Sequence, residues 1–577
     1  MAKILLCTLN SKYIHSSLAL RYLKAECADR FPDTIIREFT INEPLPHITS
    51  EIFLQGPDIL CFSCYIWNIQ PTLQICQDIK KVLPQTIIIL GGPEVSFDST
   101  QLMENFPCID YIIKGEGDIA LVSLLDSIVT GVVSPEHIPG LVYRLNNEIR
   151  EDHALAIVHD LNQIPVPYQE DFDLKDRLVY YETSRGCPYN CTYCLSSTIK
   201  GVRFFPLDRV KKDLSFFIDH EVKQVKFVDR TFNCNENRAI DIMKMILEHP
   251  GKTKFHFEIC ADLISPVMLD FLSEVPPHIF DFEIGIQSTC NETLEAVNRK
   301  TDWHKLSYNV RQLKQNGNIH LHLDLIAGLP FEDYKRFALS FNMVYDLEPD
   351  VLQLGFLKLL KGSSIREEAD LHNYVFESIP PYQVMANRYI NYYELIKLNR
   401  IEDLLDKYYN SNDFSVTLSY VCNQLYSHNA FAFYEEFSTY WDSKGLFQAA
   451  HRKDALYSLL RDFLSAKSQS DIINELLKFD YLSSYKAYDL PTGIMRYNPP
   501  DVNNLLNDLL KNNEFVSENI GPGSRSILRK NTVLEYFKLD LSTLSTVKIP
   551  VPILFVYEPG QRRALKILHN IDQYLSD

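Results

Sequence analysis

The chain has 577 residues and a formal net charge of −18, with 46% hydrophobic and 23% charged residues. This length predicts about three or four domains with ordinary globular cores, and the acidic balance disfavours nucleic acid as the main partner, because proteins that bind it usually present a basic surface. The longest apolar runs, such as residues 87–90, are far too short to span a bilayer, so no membrane association is expected.

The N-terminus and the cysteine content indicate the compartment. Residues 1–7 run directly into a strand-like segment and show no cleavable signal-peptide pattern. The thirteen cysteines are an odd number in a large chain, which favours reduced thiols. We therefore expect a cytoplasmic protein.

Residues 1–136 alternate between strand-like and helix-like segments. Strands are predicted at residues 3–8, 35–39, 58–63, 86–90 and 111–114, with a helix at residues 16–28. This alternation predicts a doubly wound parallel α/β sheet. In such sheets, ligands bind outside the carboxyl ends of the strands.

The residues that follow these strands are candidates for a binding site. They are Asn10, Lys12, Tyr13 and His15 after the first strand, Ser63, Tyr65 and Trp67 after the third, Gly91, Gly92, Pro93 and Glu94 after the fourth, and Gly115, Glu116 and Gly117 after the fifth. Because glycine lets the backbone approach a bulky ligand closely, the turns suit a large ligand.

Three cysteines, Cys187, Cys191 and Cys194, form a Cys-x-x-x-Cys-x-x-Cys motif. A 4Fe–4S cluster held by only three protein thiolates keeps one iron open to a small molecule, and no fourth cysteine lies nearby in the sequence. Structural zinc needs four closed ligands, usually in paired Cys-x-x-Cys knuckles. The only other such pair, Cys61 and Cys64, lies in a different predicted domain. The motif therefore predicts an iron–sulfur cluster that takes part in chemistry.

The motif and its surroundings resemble the radical S-adenosylmethionine (radical SAM) superfamily. The preceding domain is similar to the cobalamin-binding domain of cobalamin-dependent members. The resemblance implies three cofactors, a 4Fe–4S cluster, S-adenosylmethionine and cobalamin, and an electron donor such as flavodoxin or ferredoxin. In this superfamily the methionine moiety occupies the open iron, and one-electron reduction produces a 5′-deoxyadenosyl radical.

Residues 172–392 are expected to form the radical SAM domain, after a linker at residues 137–171. Six strands are predicted, at residues 178–183, 225–228, 254–259, 281–286, 319–325 and 351–360. With their intervening helices they match the partial (β/α)6 barrel of the superfamily, which keeps reactive groups at the carboxyl ends of its strands.

The resemblance also assigns contacts to S-adenosylmethionine. Tyr193 stands where an aromatic residue contacts adenine, and residues 325–330, with Gly328, resemble the segment beside adenine. Glu258, Gln287 and Ser288 fit positions that bind the methionine carboxylate or the ribose. Arg299 can pair with the cofactor carboxylate. Each of these residues has packing or surface exposure as its alternative role.

The cobalamin contacts leave several alternatives open. The Asp-x-His-x-x-Gly pattern that supplies an axial histidine to cobalt elsewhere is absent from the first domain. His15 is therefore either a cobalt ligand or a loop histidine that bonds polar groups. Trp67 either contacts the corrin ring or packs in the fold. The alternative for the whole domain is a Rossmann-like module without a ligand.

Other residues are expected to be structural. Cys234, Cys260 and Cys290 are interpreted as core residues, because buried cysteine is usually a small hydrophobe. Asp229 and Arg230, after the second barrel strand, are interpreted as a structural pair or as groups near the cluster.

Residues 393–577 carry no motif of this kind. Helices are predicted at residues 388–409, 450–464 and 470–479, and strands at 532–539 and 552–557. This mostly helical region resembles the uncharacterised C-terminal domain that bacterial cobalamin-type radical SAM proteins often carry.

The combination of cofactors predicts an enzyme, with methyl transfer to an unactivated carbon of an unknown substrate as the leading hypothesis. One alternative is a rearrangement or cyclisation without methylation. A second is an RNA-modifying radical SAM enzyme whose cobalamin domain is not functional, with the Cys61–Cys64 pair as its only support. A third is a binding protein that has lost turnover.

Overall fold

The computed structural model describes residues 2–146, 148–168, 177–249, 251–467, 470–487, 489–541, 543–571 and 574. The chain divides into two compact units. The first comprises Met1–Ser340, Leu347–Pro349 and Leu354–Leu395, and the second comprises Phe341–Asp346, Asp350–Gln353 and Ile396–Asp577. The expected end of the linker and start of the barrel domain, at residues 169–176, lie outside the described residues.

The first unit begins with a seven-stranded sheet, as the alternating pattern predicts. Its strands are β1 (Ile4–Asn10), β2 (Ile35–Thr40), β3 (Ile59–Ser63), β4 (Ile87–Gly91), β5 (Tyr111–Ile113), β6 (Leu141–Leu145) and β7 (Glu148–Glu151), in the order β2-β1-β3-β4-β5-β6-β7. The first five are parallel. Helices α1 (Leu18–Cys27), α2 (Leu45–Gln55), α3 (Ile69–Val82), α4 (Ser99–Asn105) and α5 (Gly117–Thr130) accompany them. Two apolar cores bury opposite faces of β1, which explains why all seven of its residues are buried.

The segment expected to be a linker is partly sheet. Strands β6 and β7 form a hairpin that extends the first sheet in the antiparallel sense. Leu141 and Val142 are almost fully buried, so this short apolar run gains more from pairing with β5 than from exposure as a linker.

The rest of the first unit contains the barrel. Hairpin strands β9 (Ser184–Cys187) and β10 (Gly201–Phe204) follow β8 (Val179–Tyr181). Then come β11 (Gln224–Phe227), β12 (Lys254–Ile259), β13 (Phe280–Gln287), β14 (His320–Ala327) and β15 (Val351–Phe356), and the parallel sheet has the order β15-β14-β13-β12-β11-β8. The helices are α6 (Leu207–Asp219), α7 (Glu236–Glu248), α8 (Pro266–Ser273), α9 (Asn291–Ala296), α10 (Trp303–Asn316), α11 (Tyr334–Tyr345) and α12 (Ser364–Glu367). The predicted six-stranded α/β arrangement is confirmed.

The two faces of the barrel sheet differ sharply in chemistry. On one face, Phe257 contacts Phe227 and Phe232, with ring centroids 4.5 and 4.4 Å apart, and all three are buried. On the other face, Glu258 lies opposite Glu283 in the strand register. Because successive residues of a strand point to opposite faces, every polar residue here sits between two buried apolar ones. The polar face is therefore available for a site.

The second unit is mainly helical, as expected, with a small sheet. A short hairpin of β16 (Val375–Phe376) and β17 (Val384–Ala386) precedes it in the chain. Helices α13 (Tyr392–Leu404), α14 (Ser415–Tyr420), α15 (Ala430–Ser443), α16 (Lys453–Leu464), α17 (Ser470–Ser484), α18 (Val502–Leu509), α19 (Asn513–Phe515) and α20 (Arg525–Lys530) lead to an antiparallel sheet of β18 (Thr532–Asp540), β19 (Ser545–Tyr557) and β20 (Ala564–Leu568). The two strands predicted in this region are thus present, and Trp441 is fully buried among its aromatic side chains.

A buried carboxylate lies at the centre of a cluster of cations in the second unit. Asp413 is 3% exposed, and Arg562 donates to its two oxygens at 2.7 and 3.1 Å. Arg563 lies 3.2 Å and Lys453 3.4 Å from the same carboxylate, and the Tyr485 hydroxyl donates to it at 2.6 Å. Burial opposes ionisation of Asp413, but these groups outweigh burial and lower its pKa.

We expect Asp413→Asn to cost about 3 kcal/mol of stability, because it leaves the cluster of cations without its carboxylate. Since the pKa of Asp413 is lowered in the folded state, its stabilising contribution is present above the pKa of an unfolded aspartate and is lost as pH falls through the folded value. Calorimetric melting of the full chain at neutral and acidic pH measures both effects.

Asp442→Asn is the matched control, because Asp442 pairs with Arg400 but is half exposed. It should change stability by about 1 kcal/mol or less. Equal effects of the two substitutions would contradict the central role of Asp413.

Candidate functional site

The three cysteines lie at the end of a tight hairpin. Strand β9 pairs antiparallel with β10, which places Cys187 at the end of β9. A side chain on Gly186 would meet the Gly201 carbonyl oxygen at 2.1 Å, and Gly186 has a φ of 96°. Glycine is therefore required at this position for the hairpin to close.

Buried hydrogen bonds hold the hairpin at the carboxyl end of β8. Asp229 is 1% exposed and accepts hydrogen bonds from the Thr183 N–H (2.9 Å), the Thr183 hydroxyl (2.7 Å) and the Ser184 hydroxyl (2.5 Å). Burial nevertheless raises the pKa of Asp229. Asp229 is thus structural, but its partner is not Arg230: the Arg230 guanidinium lies 3.9 Å from Glu258 instead.

All three cysteines line one cavity of about 280 Å³. Four of the predicted S-adenosylmethionine contacts line it as well, namely Tyr193, Glu258, Gln287 and Arg299. The predicted constellation is therefore brought together, although the ligand contacts themselves stay predictions.

The donor set fits a multi-iron cluster. Among the described residues, no three His, Cys, Asp or Glu side chains converge closely enough to hold a single metal ion. Three thiols that line one cavity are the ligand type that iron–sulfur clusters use. Arg299 Nη1 lies 3.9 Å from the Cys191 sulfur and donates to the Tyr193 hydroxyl at 3.4 Å, so a cation faces this sulfur.

The polar face of the barrel forms the opposite wall of this cavity with Glu258, Glu283 and Asp324. Burial opposes ionisation of Glu283, but contacts with His256 (2.8 Å) and Lys226 (3.0 Å) outweigh it and lower its pKa to about 2. Burial raises the pKa values of Glu258 and Asp324. Sequence reasoning missed Glu283 and Asp324, although their alternation with buried residues was a readable signal.

Two predicted contacts lie away from the cavity lining. Ser288 is 1% exposed, donates to Glu332 at 2.7 Å and accepts from the Cys290 N–H at 3.0 Å. The Gly328 carbonyl accepts from the Tyr374 hydroxyl (3.1 Å) and from Asn387 (2.9 Å). Ser288 follows Gln287 directly, but Gln287 has a φ of 71°, so the chain leaves the extended conformation at the end of β13. Only Gln287 of this pair faces the cavity.

Cys260 was expected in the core, and it also lines the cysteine cavity. Its thiol donates to Asp262 at 2.8 Å and accepts a hydrogen bond from the Tyr189 hydroxyl at 3.4 Å. Burial raises its pKa to about 12, so it stays protonated. Cys260 is thus a neutral wall residue rather than a fourth thiolate.

A second cavity, of about 610 Å³, lies at the carboxyl ends of the first sheet. Its lining includes eleven predicted residues: Asn10, His15, Ser63, Tyr65, Trp67, Gly91, Gly92, Pro93, Gly115, Glu116 and Gly117. The rings of Tyr65 and Trp67 stack in parallel with centroids 4.5 Å apart, and the Trp67 ring N–H donates to the Leu9 carbonyl at 3.1 Å. A flat aromatic wall in a mostly apolar cavity fits a large planar ring system such as a corrin.

Glycine occupies the positions in the lining of this cavity for two different structural reasons. Side chains on Gly92 and Gly115 would meet the backbone oxygens of Cys64 and Ala156 at 2.5 Å, so close backbone packing explains them. A side chain on Gly117 would meet only Leu23, at an ordinary 3.7 Å. Gly117, the first residue of α5, also lines the cavity. A side chain on Gly91 would meet only the Ile113 carbonyl oxygen, at 3.7 Å, so Gly91 and Gly117 are the glycines of this lining that leave space for a ligand.

Three predicted contacts do not line the second cavity. Tyr13 is 71% exposed and lies under the Arg177 guanidinium, 4.7 Å from the ring centroid, and Lys12 is exposed. Glu94 is buried, accepts a hydrogen bond from the Tyr382 hydroxyl and lies 3.6 Å from Lys361. The loop after β1 and the turn after β4 each place these side chains away from the sheet end.

His15 lines the second cavity, and its Nδ1 lies 2.6 Å from the Tyr180 hydroxyl. Burial, with Lys12 and Lys226 nearby, lowers its pKa, so the ring is neutral. The hydrogen bond fixes the ring against the barrel. A cobalt bond from His15 stays a prediction.

Sequence reasoning missed Arg185, which lines the 610 Å³ cavity and links the first sheet to the hairpin that carries the cysteines. Its guanidinium donates to Asp118 at 2.8 and 3.1 Å and to Glu182 at 2.8 Å. Asp118 lies in the first turn of α5, whereas Arg185 lies two residues before Cys187. Since 67 residues separate the two partners, no local pattern could reveal the pair.

Three family models match consecutive parts of the chain: the B12 binding domain at residues 4–125, the radical SAM superfamily at residues 181–344, and a protein of unknown function (DUF4080) at residues 370–555. The chain therefore carries a segment that matches the radical SAM superfamily, with a B12-binding domain before it and a DUF4080 domain after it. Over these segments it is similar to the class of radical SAM enzymes that bind B12. The cofactors of this class are a 4Fe–4S cluster, S-adenosylmethionine and cobalamin, which the two cavities fit.

Two curated relatives are methyltransferases by name. An uncharacterized methyltransferase of Pyrococcus horikoshii is 25% identical over 368 residues, covering 62% of this chain and 79% of that protein. The cobalamin-dependent radical SAM methyltransferase TokK of Streptomyces tokunonensis is 25% identical over 357 residues, covering 56% of this chain and 50% of TokK. The chain thus spans only about half the length of TokK.

The fold also matches a solved structure. The cobalamin-dependent S-adenosylmethionine radical enzyme OxsB, with aqua-cobalamin and S-adenosylmethionine bound, superposes with a TM-score of 0.55 at 17% identity, covering 83% of this chain and 79% of OxsB. This likeness shows a shared fold. Within the described parts of the chain, no helix combines the length and apolar character needed to cross a membrane.

We expect Cys191→Ala to prevent cluster assembly, because only two thiolates would remain for the irons. Cys260→Ala, which removes the other thiol of the same cavity, should leave the cluster intact. Iron and sulfide content per chain after anaerobic reconstitution distinguishes the two variants. Loss of iron in Cys260→Ala would show that the motif does not hold the cluster alone.

We expect Gly117→Phe to reduce bound cobalt strongly, because the new ring would extend into the 610 Å³ cavity without a backbone clash. Gly117→Ala is the matched control and should retain cobalt. Cobalt and iron per chain are measured together after loading with hydroxocobalamin. Unchanged cobalt in Gly117→Phe would place the corrin elsewhere.

Proposed function

We propose that the protein is a cobalamin-dependent radical SAM methyltransferase that methylates an unactivated carbon of its substrate. The observation that carries the proposal is that Arg230 lines both the cysteine cavity and the 610 Å³ cavity. The reactive groups of two cofactors held in these cavities would therefore face the same region. The methyltransferase names of two relatives support the reaction type.

When bound, the cluster and S-adenosylmethionine supply a radical that abstracts hydrogen from an unreactive carbon, and cobalamin supplies a methyl group. The chain's own residues would bind and orient these groups. Cys187, Cys191 and Cys194 would hold the cluster. Arg299 presents a cation to the cysteine cavity and would favour both the thiolates and a cofactor carboxylate.

Other side chains would position S-adenosylmethionine and exclude water. Gln287 has a φ of 71° and folds over Gly285, where a side chain would meet its Nε2 at 2.1 Å. A side chain at residue 285 would occupy the space that the Gln287 amide takes, so the glycine leaves room for this placement of the amide. Gln287 is thus fixed as an amide donor and acceptor that faces the cysteine cavity.

The RNA-modifying alternative would need an N-terminal cluster. Of the six cysteines before the motif, Cys7, Cys27, Cys61, Cys64 and Cys76 are buried and Cys108 is partly buried. Burial raises the pKa values of these thiols, which opposes the thiolate form that a metal requires. The match of this region to the B12 binding domain favours cobalamin instead.

The reaction also needs an electron donor and a reducing environment. We propose a low-potential flavodoxin or ferredoxin as the donor and the cytoplasm as the location. All thirteen cysteines are free thiols, which is typical of a reducing compartment.

The test uses protein reconstituted with cluster and cobalamin and incubated anaerobically with a chemical reductant and deuteromethyl-labelled S-adenosylmethionine. We expect both 5′-deoxyadenosine and S-adenosylhomocysteine, measured by mass spectrometry. An S-adenosylmethionine that donates its methyl group becomes S-adenosylhomocysteine, whereas one that is cleaved to the radical yields 5′-deoxyadenosine. Omission of cobalamin should remove the S-adenosylhomocysteine alone.

Cys191→Ala should form neither product. If the complete enzyme formed 5′-deoxyadenosine without S-adenosylhomocysteine, methylation would be wrong and a rearrangement or cyclisation would be favoured.

A further inference from the structure

A third cavity, of about 400 Å³, lies beside the two cofactor cavities within the first unit. It shares Glu116, Arg185 and Val228 with the 610 Å³ cavity and Ser196 with the cysteine cavity, and it shares Arg230 with both. Its volume lies in the usual range for small-molecule sites. A molecule in this space would reach both cofactors.

Much of the wall of this third cavity is apolar. Phe97, Leu155, Leu195 and Ile199 line it and are only partly buried, so their apolar surfaces face the open space. Covering such surfaces with an apolar ligand is favourable by about 25 cal/mol per Å². The cavity therefore suits a ligand with an apolar body.

Several hydroxyl groups of the wall are already bonded within the protein. Ser96 donates to the Gly92 carbonyl at 2.9 Å, Ser184 to Asp229 at 2.5 Å, and Thr198 to the Leu195 carbonyl at 2.7 Å. These groups would have to break internal bonds to donate to a ligand. They are therefore poor anchors for a hydroxylated ligand.

Three arginines line the third cavity, and the guanidinium groups of two of them are already paired with carboxylates of the protein. Arg185 is bonded to Asp118 and Glu182, and Arg203 donates to the two oxygens of Glu116 at 2.9 and 2.5 Å. Arg230 differs, because its guanidinium makes no hydrogen bond within the described residues and its only carboxylate neighbour, Glu258, is 3.9 Å away. Its side chain is 55% exposed to solvent and lines all three cavities.

We infer that the third cavity binds the substrate and that this substrate is an anionic amphiphile, with an acidic group paired to Arg230 and an apolar body against Phe97, Leu155, Leu195 and Ile199. This inference rests on the proposed function, since it places the substrate between the two cofactors. A guanidinium can bind a carboxylate or a phosphate through two parallel hydrogen bonds. Arg230 is thereby a specificity-determining residue.

The test measures binding of simple probes to enzyme loaded with cluster, cobalamin and S-adenosylmethionine. Equilibrium dialysis compares 4-phenylbutyrate with 4-phenylbutanol and 4-phenylbutylamine, which share the apolar body and differ in the polar group. We expect the carboxylate to bind about tenfold more tightly than either, because a charge-assisted pair adds about 1.4 kcal/mol or more. 4-Phenylbutyl phosphate, measured in parallel, shows which acidic group is preferred.

Arg230→Gln should remove this preference, whereas Arg230→Lys should retain part of it, because lysine keeps the charge but not the planar pair of donors. The control is Arg30→Gln, at an arginine whose side chain is 61% exposed and which pairs with Asp126. It should bind the probes as the unchanged enzyme does.

Equal affinities for the three probes in the unchanged enzyme would overturn the inference. It would also be overturned if Arg230→Gln bound 4-phenylbutyrate normally but lost affinity for S-adenosylmethionine, since Arg230 would then serve the cofactor. Cobalt content and S-adenosylhomocysteine formation in the same samples keep the two proposals separate. If the proposed function is wrong, the enzyme forms no S-adenosylhomocysteine. If only this inference is wrong, the enzyme forms S-adenosylhomocysteine but shows no preference for the acidic probe.

Discussion

The buried ion pairs of Arg185 are the interaction on which the site of the first unit depends. Arg185 is 11% exposed on its side chain and holds Asp118 of the first sheet domain and Glu182 of the barrel at once. Burial raises the pKa of Glu182 to about 7, so the arginine is needed to keep this carboxylate ionised near neutral pH. Removal of one partner from such a buried network typically costs several kcal/mol. The carboxyl ends of both sheets are thereby fixed beside each other, and Arg185, Asp118 and Glu182 all line the 610 Å³ cavity at that junction.

The two faces of the barrel sheet carry different kinds of side chain, one apolar and one charged. Its buried face is built from phenylalanines, which supply packing energy without polar demands. The other face carries charged residues that neutralise one another through Glu283, Lys226 and His256. Because these charges are paired at the strand centres, the less satisfied groups, Glu258 and Arg230, are left nearer the cavities. The same alternation thus provides both the stability of the fold and the reactive surface.

Most of the fold and part of the site could be predicted from the sequence. Strand positions, the parallel order and the three-cysteine loop depend on local periodicity and spacing, which a sequence shows directly. Fifteen of the predicted site residues line the two cavities in addition to the three cysteines. The differences between prediction and structure are local. Ser288 directly follows the last residue of β13 and does not line the cysteine cavity, Lys12 and Tyr13 are exposed in the loop after β1, and the segment expected to be a linker contains the β6–β7 hairpin.

The sequence by itself determined the class of cofactor chemistry, because a thiolate spacing and a strand–turn pattern are properties of neighbouring residues. Only the tertiary structure decided which polar groups meet. Arg185 and Asp118, Arg203 and Glu116, and Tyr382 and Glu94 lie 67, 87 and 288 residues apart. Their convergence is set by strand register and by how two sheets face each other, since a shift of one residue would turn every side chain of a strand to the other face.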